Sequence, residues 1–257
     1  MGDHVGEYIQ AAMDTAKEAG EYLLKYFGNE IASEVKPDLS RVTIYDTYVE
    51  DMVRKALLGK WPHHGIIGEE YGVSEPSSEY TWIIDPVDGT HNFIRGIPMF
   101  GVSIGLLKGS EFCGGVIYMP CIDKLYSAEK GSGSFCNGKR LKVSGVDELK
   151  DATLLFDSGL RTEPEQKLTF LSNIASKLFN VRVFGASVQN LTMLAEGKAD
   201  ILIEFDEHLW DFAGGLTIVQ EAGGCITGHD NSPITIKSKK FLATNGKLHN
   251  KMLSYFK

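Results

Sequence analysis

The chain has 257 residues, 43% of them hydrophobic and 10% aromatic, which is enough apolar side chain for a substantial core in one large domain or two intimate halves. A net charge of −8, with no basic block or basic aromatic repeat, argues against nucleic-acid binding, because such binders depend on cationic groups that neutralise phosphates. The opening residues lack the pattern of a secretory leader and no later run is apolar for the length of a membrane span, so a soluble chain with no membrane partner is expected.

Val5, Ile9, Met13, Ala16 and Leu23 recur at near-helical spacing after a possible Asp3 cap, predicting a first amphipathic helix. A second is predicted from about Thr47 to Leu58. From Tyr80 onward the short apolar or alternating runs YTWIID, MFGVSIGLL, EFCGGVIYM and KLYSAE are separated by turn-like residues, which predicts a largely antiparallel sheet. After about Ser144 the rhythm changes. ATLLFDS and VRVFG read as strands, 163–178 and 188–197 as helices, and ADILIEF, a helix over 212–222, CIT, FLATN and a terminal helix continue the alternation. This pattern predicts a second α/β layer. The expected division is an N-terminal α+β half over 1–147 and a C-terminal α/β half over 148–257, joined as one catalytic unit because no Pro/Gly/Ser-rich linker separates them. Cys113, Cys121, Cys136 and Cys225 show no zinc or disulfide spacing, which points to reduced thiols and a cytoplasmic location.

The chemistry-bearing residues are carboxylates at the ends of apolar runs. In WIIDPVDGT, Asp85 and Asp88 follow a strand across a proline-set turn and can converge on one point, where a cation would relieve their repulsion. Oxygen-only donors select a hard ion such as Mg²⁺. Gly89 and Thr90 open HNFIRG, a predicted short helix whose free N–H groups can hold a phosphate. Glu69 and Glu70 end the apolar run GIIGEE, and Asp211 stands before an apolar, glycine-containing helix. Asp46 and Glu50 are four apart on one predicted helix face. Taken singly, DPVDGT is an ordinary turn, Glu69–Glu70 a solvated pair, Asp211 a helix-starting residue, and Asp46 with Glu50 a cap and a surface acid. The combination, with no GxSxG, HExxH or P-loop lysine motif beside it, points to metal-assisted hydrolysis.

GEE, WIIDPVDGTHNF and WDFAGGLTIVQEAGG, in this order along the chain, resemble the inositol monophosphatase family. The resemblance implies an αβαβα sandwich, Mg²⁺ as cofactor with roughly two or three ions per site, lithium sensitivity, and a homodimer. It also implies that Glu69, Asp85, the carbonyl of Val87, Asp88 and Asp211 hold metal, with Asp85 bridging two ions. Gly89 and Thr90 would cradle the phosphate, Thr90 and Asp46 would position and deprotonate the attacking water, and Glu70 would support them. Gly185, Ala186, Ser187 and Glu204, with Asp88, would contact the alcohol part of a small phosphorylated metabolite.

The segment Lys36–Thr43 departs from the usual inositol monophosphatase pattern and, like HGIIGEEYG, is similar to the histidinol-phosphate phosphatase branch; HNFIRGIPMFGVSIGLL and GSGSFCNGKRL are closer to the inositol branch. The expected substrate is an inositol monophosphate, with histidinol phosphate the alternative, and bisphosphate-nucleotide and fructose-1,6-bisphosphate phosphatases further off. A catalytically silent metal-binding protein on the same fold is the reading from a different class. Arg41, Arg95, His91 and His208 are expected to be solvent-facing or locally packed rather than ligands.

Overall fold

A computed structural model describes residues 5–37 and 39–256. The possible Asp3 cap and Asp38 lie outside the described residues. Helix α1, Val5–Leu24, buries Val5, Ile9, Ala12, Ala16, Ala19 and Leu23 along one stripe, as its spacing predicts. The minimal hairpin of β1, Glu34–Val35, and β2, Arg41–Val42, leads into α2, Ile44–Lys60. That helix begins at Ile44 rather than near Thr47, because Thr43 caps it.

An eight-stranded sheet follows. Its members are β3, Gly65–Gly68; β4, Gly72–Ser74; β5, Tyr80–Asp88; β6, Gly101–Lys108; β7, Glu111–Met119; β8, Lys124–Glu129; β9, Gly133–Cys136; and β10, Lys139–Arg140. All its pairings are antiparallel except β3 with β5. The short helix α3, Thr90–Ile94, interrupts the passage from β5 to β6. The second sheet holds β11, Thr153–Phe156; β12, Asn180–Arg182; β13, Ile201–Glu204; β14, Cys225–Thr227; and β15, Phe241–Thr244, in the order β12-β11-β13-β15-β14. Between its strands run α4, Pro164–Ile174; α5, Ser187–Ala195; and α6, Leu209–Glu221; α7, His249–Leu253, follows. The predicted strand VRVFG ends at Arg182, and the helix predicted over 163–178 stops at Ile174 before a 3₁₀ turn.

Alternation along the strands sorts the core into layers. Trp82 and Ile84 pack with α1 and α2, whereas Ile83 faces α5 and α6. In the second sheet Leu155 and Leu202 meet α5 and α6 from the other side, while Leu154, Phe156, Ile201 and Ile203 pack with α4 and α7. The result is helix, sheet, helix, sheet, helix, the layered α+β arrangement that the motifs imply. Helix α6 is pressed hard onto β6 and β7: a Cβ on Gly115 would sit 2.0 Å from the carbonyl oxygen of Gly214. This close approach requires small residues on both surfaces, and it holds α6 against β5, β6 and β7.

Candidate active site

The site is built at the C-terminal end of β5. The strand continues to Asp88, beyond the expected exit at Asp85, but its pairing with β6 shifts register between Asp85 and Asp88, where Pro86 has no N–H to donate. Both aspartates are buried, at 2% and 7% exposure. Asp85 Oδ1 accepts a 3.0 Å hydrogen bond from Val87 N. Gly89 then takes φ +85°, and a Cβ there would meet the Met99 carbonyl oxygen at 2.8 Å and Ala186 Cβ at 3.0 Å. Only glycine allows this turn, which delivers Thr90 as the first residue of α3.

Thr90 Oγ1 lies 2.8 Å from Asp46 Oδ1 and 2.9 Å from the Val87 carbonyl oxygen. Its single proton is therefore committed to acceptors, and its oxygen is left able to accept a proton from a water. Asp46 is fully buried in the first turn of α2, where its other oxygen accepts from Thr43 N at 2.8 Å and from the Thr43 hydroxyl. The reading of Asp46 and Glu50 as a cap with a surface acid is half corrected. Asp46 does belong to a capping box, but Glu50 is fully buried, accepts from Glu70 N at 2.6 Å and Tyr71 N at 3.1 Å, and pairs with Arg54 at 2.7 Å. Nor are Glu69 and Glu70 a solvated pair. Lys36 Nζ lies between them, 2.7 Å from Glu69 Oε1 and 2.6 Å from Glu70 Oε1.

The C-terminal half supplies the other wall. Asp211 stands in the first turn of α6, its Oδ2 accepting from His208 N at 2.6 Å. Helix α5 has Ala186 at its N-cap, which offers no side-chain acceptor. Asp88 fills that role from β5, accepting from Ser187 N at 3.1 Å and from Val188 N. Gly185, at φ +70°, is held beside Asn92, whose amide donates to the carbonyls of Phe184 at 2.9 Å and Met99 at 2.7 Å. Glu204, at the end of β13, is 2% exposed and accepts from Asn190 Nδ2 at 3.0 Å. His91 and His208 are exposed, and His208 stacks on Trp210.

One residue of this wall escaped the sequence reading. Glu207 accepts a 3.0 Å hydrogen bond from the Ser187 hydroxyl and is hydrogen-bonded to the Asp211 carboxyl. The only signal was the acidic pair Asp206–Glu207 directly after an apolar strand, which reads as an ordinary surface turn.

Electrostatics show how crowded the site is. Burial, and then the charges of Glu69, Asp88 and Asp211, hold Asp85 well above the usual carboxylate range. Asp88 is raised by burial and then by Asp211, against the N–H groups of Val188 and Ser187. Glu69 is pushed up to about 8 by burial, which the neighbouring Lys36 only partly offsets. Asp46 and Asp211 are raised chiefly by burial too. Among the described residues no three histidine, cysteine, aspartate or glutamate side chains form a closed ion cage; each of these carboxylates is turned to a protein donor. The donor set nonetheless fits a hard divalent cation: acidic oxygens that repel one another in a poorly solvated pocket, with one lysine to balance them.

Fold and site together define a hydrolase of layered α+β architecture. The sequence model of the inositol monophosphatase family matches residues 4–257. A fructose-1,6-bisphosphatase/inositol-1-monophosphatase of Aquifex aeolicus (strain VF5) is 36% identical over 231 residues, covering 88% of this chain and 87% of its own. Inositol monophosphatase 1 of Homo sapiens is 35% identical over 258 residues, covering 96% and 93%. Among solved structures, the extragenic suppressor protein suhB of Bartonella henselae superposes with a TM-score of 0.93 at 30% identity, over 98% of both chains. The chain belongs to the inositol monophosphatase family and is a phosphoric monoester hydrolase. The family is metal-dependent, generally on Mg²⁺. Among the described residues no helix is long and apolar enough to cross a membrane.

Proposed function

We propose that this chain hydrolyses inositol monophosphate or a closely similar polyol monophosphate, using Mg²⁺ held by Glu69, Asp85, the Val87 carbonyl, Asp88 and Asp211. The observation that carries this reading is the Thr90–Asp46 hydrogen bond of 2.8 Å placed directly beside the buried carboxylates of β5. Bound Mg²⁺ would lower the pKa of a coordinated water and offset charge on the phosphoryl and leaving oxygens.

The chain's own groups then have defined tasks. The backbone around Gly89 and Thr90 holds the phosphate at the start of α3. Thr90 Oγ1 accepts a hydrogen bond from the attacking water, and the water's proton passes through that hydroxyl to Asp46. Burial makes Asp46 a stronger base than an ordinary aspartate. The water oxygen forms its bond to phosphorus as the bond from phosphorus to the alcohol oxygen breaks. Glu70, bound to Lys36, supports the far side of the site. Gly185, Ala186, Ser187 and Glu204 border the alcohol.

Residues 1–147 and 148–257 are proposed to act as one unit, because the hydrogen bonds from Ser187 and Val188 to Asp88 join them at the site. We also propose a homodimer; the exposed Phe179 and Val183 flank β12, an edge strand of the second sheet. Sedimentation at micromolar concentration tests it, and a monomer would refute it. All four cysteines are unpaired, which supports a reducing, cytoplasmic setting.

The names of the Aquifex and human relatives support the substrate class. The test is phosphate release with Mg²⁺ from inositol 1-phosphate, histidinol phosphate, 3′-phosphoadenosine 5′-phosphate and fructose 1,6-bisphosphate at equal concentration. Inositol 1-phosphate should lead by about a hundredfold in kcat/KM, equivalent to ~2.7 kcal/mol. A lead by histidinol phosphate would move the chain to that branch, and turnover of none would favour a silent metal-binding protein.

A further inference from the structure

We propose that Glu50, paired with Arg54, is a positioning residue for metal binding: it locks the turn that carries Glu69 and Glu70 onto the same helix that carries Asp46. The inference rests on the Mg²⁺-dependent phosphatase reading above and deepens it.

Asp46, Glu50 and Arg54 recur every four residues along α2 and so share one face. The helix is fixed from behind, because Val49, Val53 and Leu57 are fully buried in the core with Trp82 and Ile84 of β5. Glu69, Glu70 and Tyr71 form the turn between β3 and β4. β5 holds the near end of that turn, where Glu69 N donates to the Ile84 carbonyl at 3.2 Å, one residue before Asp85. The far end rests on α2. Glu50 Oε2 accepts from Glu70 N at 2.6 Å and Oε1 from Tyr71 N at 3.1 Å, while Arg54 Nε donates to Oε1 at 2.7 Å. The same guanidinium donates to the Gly72 carbonyl and lies over the Tyr71 ring, 5.9 Å from its centroid. Gly68 closes the clamp, since a Cβ there would overlap the Glu50 carboxylate and come 2.8 Å from Arg54 Nη2.

Three N–H donors on the two oxygens of a buried carboxylate fix its direction as well as its position, and the planar fork of Arg54 ties it to the next strand. Glu50 acts through the turn rather than by touching an ion. Because Asp46 precedes it by one helical turn, α2 sets the spacing between the Thr90–Asp46 pair and Glu69 as a single rigid part. A ligand held at its angle by an outer hydrogen bond binds metal more tightly than one free to swing. A water-activating pair likewise works only at a fixed distance from the ion it serves.

The test is Mg²⁺ binding by calorimetry without substrate, read beside kcat and KM for inositol 1-phosphate at saturating Mg²⁺. In Glu50→Gln the amide keeps one acceptor oxygen and turns an NH₂ toward another donor, so the turn loosens. The Kd for Mg²⁺ should rise about tenfold and kcat should fall about tenfold, with KM within about twofold. Loss of a negative charge would by itself weaken cation binding, so Gly68→Ala is the companion variant. It changes no charge, its φ is not in the left-handed region, and by displacing the carboxylate it should raise the Kd about fivefold. Arg54→Lys keeps the charge but cannot span Glu50 and the Gly72 carbonyl, and should raise the Kd about threefold; these two variants carry the test should Glu50→Gln fail to fold. Folded Gly68→Ala and Arg54→Lys proteins that both keep the wild-type Kd within about twofold overturn the inference, whatever Glu50→Gln shows, and leave the phosphatase reading intact. A wild-type protein that neither binds Mg²⁺ nor releases phosphate overturns both.

Discussion

Two of the places where the molecule buries acidic groups are balanced in opposite ways. In the C-terminal half, Lys167 is fully buried and lies 2.8 Å from Asp157. Asp157 also accepts from Phe205 N at 3.1 Å and from Gly159 N, and the Lys167 amine donates to the Gly159 carbonyl at 2.6 Å and to Thr162 at 3.0 Å. Every charge there is met within the chain. At the end of β5, by contrast, Asp85, Asp88, Asp211 and Glu69 crowd together with Lys36 paired to Glu69, and their carboxyls are raised by burial and, at Asp85, Asp88 and Glu69, by neighbouring acids. A self-sufficient buried ion pair organises structure, whereas an acidic pocket short of cations is organised for something that arrives.

The contrast can be broken from either side. Asp88→Asn should cost more than about a thousandfold in kcat, ~4 kcal/mol of transition-state stabilisation, while circular dichroism shows an intact fold. Near-normal turnover of the Mg²⁺-saturated variant would remove Asp88 from the chemistry. At the other site, Lys167→Met should lower unfolding free energy by about 3–4 kcal/mol in urea titration, because it strands Asp157 without a partner. Adding Asp157→Asn should restore part of that loss; no recovery would mean that the pair itself, rather than the stranded charge, carries the effect.

A third expectation separates these sites from ordinary acid sensitivity. Burial lowers the His229 imidazole from 6.5 to about 4, where it stacks on Phe256 with ring centroids 4.0 Å apart. The unfolded chain then takes up a proton between those pH values that the folded chain refuses. Stability from this group is complete above pH 6.5 and is lost as pH falls toward 4, by about 3 kcal/mol. His229→Gln should shrink that loss in urea titrations at the two pH values, and an unchanged loss would place the sensitivity elsewhere. The smallest effect sharpens the comparison directly. Mg²⁺ at about one hundred times its Kd should stabilise the chelator-treated protein by ~2.7 kcal/mol. The increment should survive Lys167→Met and vanish in Asp88→Asn. Survival of the full increment in Asp88→Asn would contradict the proposed ligand set.

Much of this was legible in the sequence because it depends on short-range pattern. The stripe of α1, the alternation in β5 and the turn forced by Pro86 and Gly89 are local, so the succession of elements and the grouping of Asp85, Asp88 and Thr90 could be read directly, whereas the αβαβα layer order came with the family resemblance. Glu50 was misjudged for a physical reason. Its partners, Glu70 N and Tyr71 N, come from another element, and only their arrival turns a surface acid into a buried acceptor. Glu207 was missed on the same grounds, since Ser187 reaches it from a different helix.

What the sequence determined by itself was therefore the set of elements, the family and the carboxylates that stand at strand and helix ends, since periodicity, turn chemistry and motif spacing act over a few residues. What only the tertiary structure decided was which acids share a pocket and what each one faces. It joined Asp46 to Thr90, Lys36 to Glu69 and Glu70, and Asp88 to the start of α5. Those pairings depend on how closely α6 and α2 pack onto the large sheet, and burial, not sequence distance, sets the charge state of each group found there.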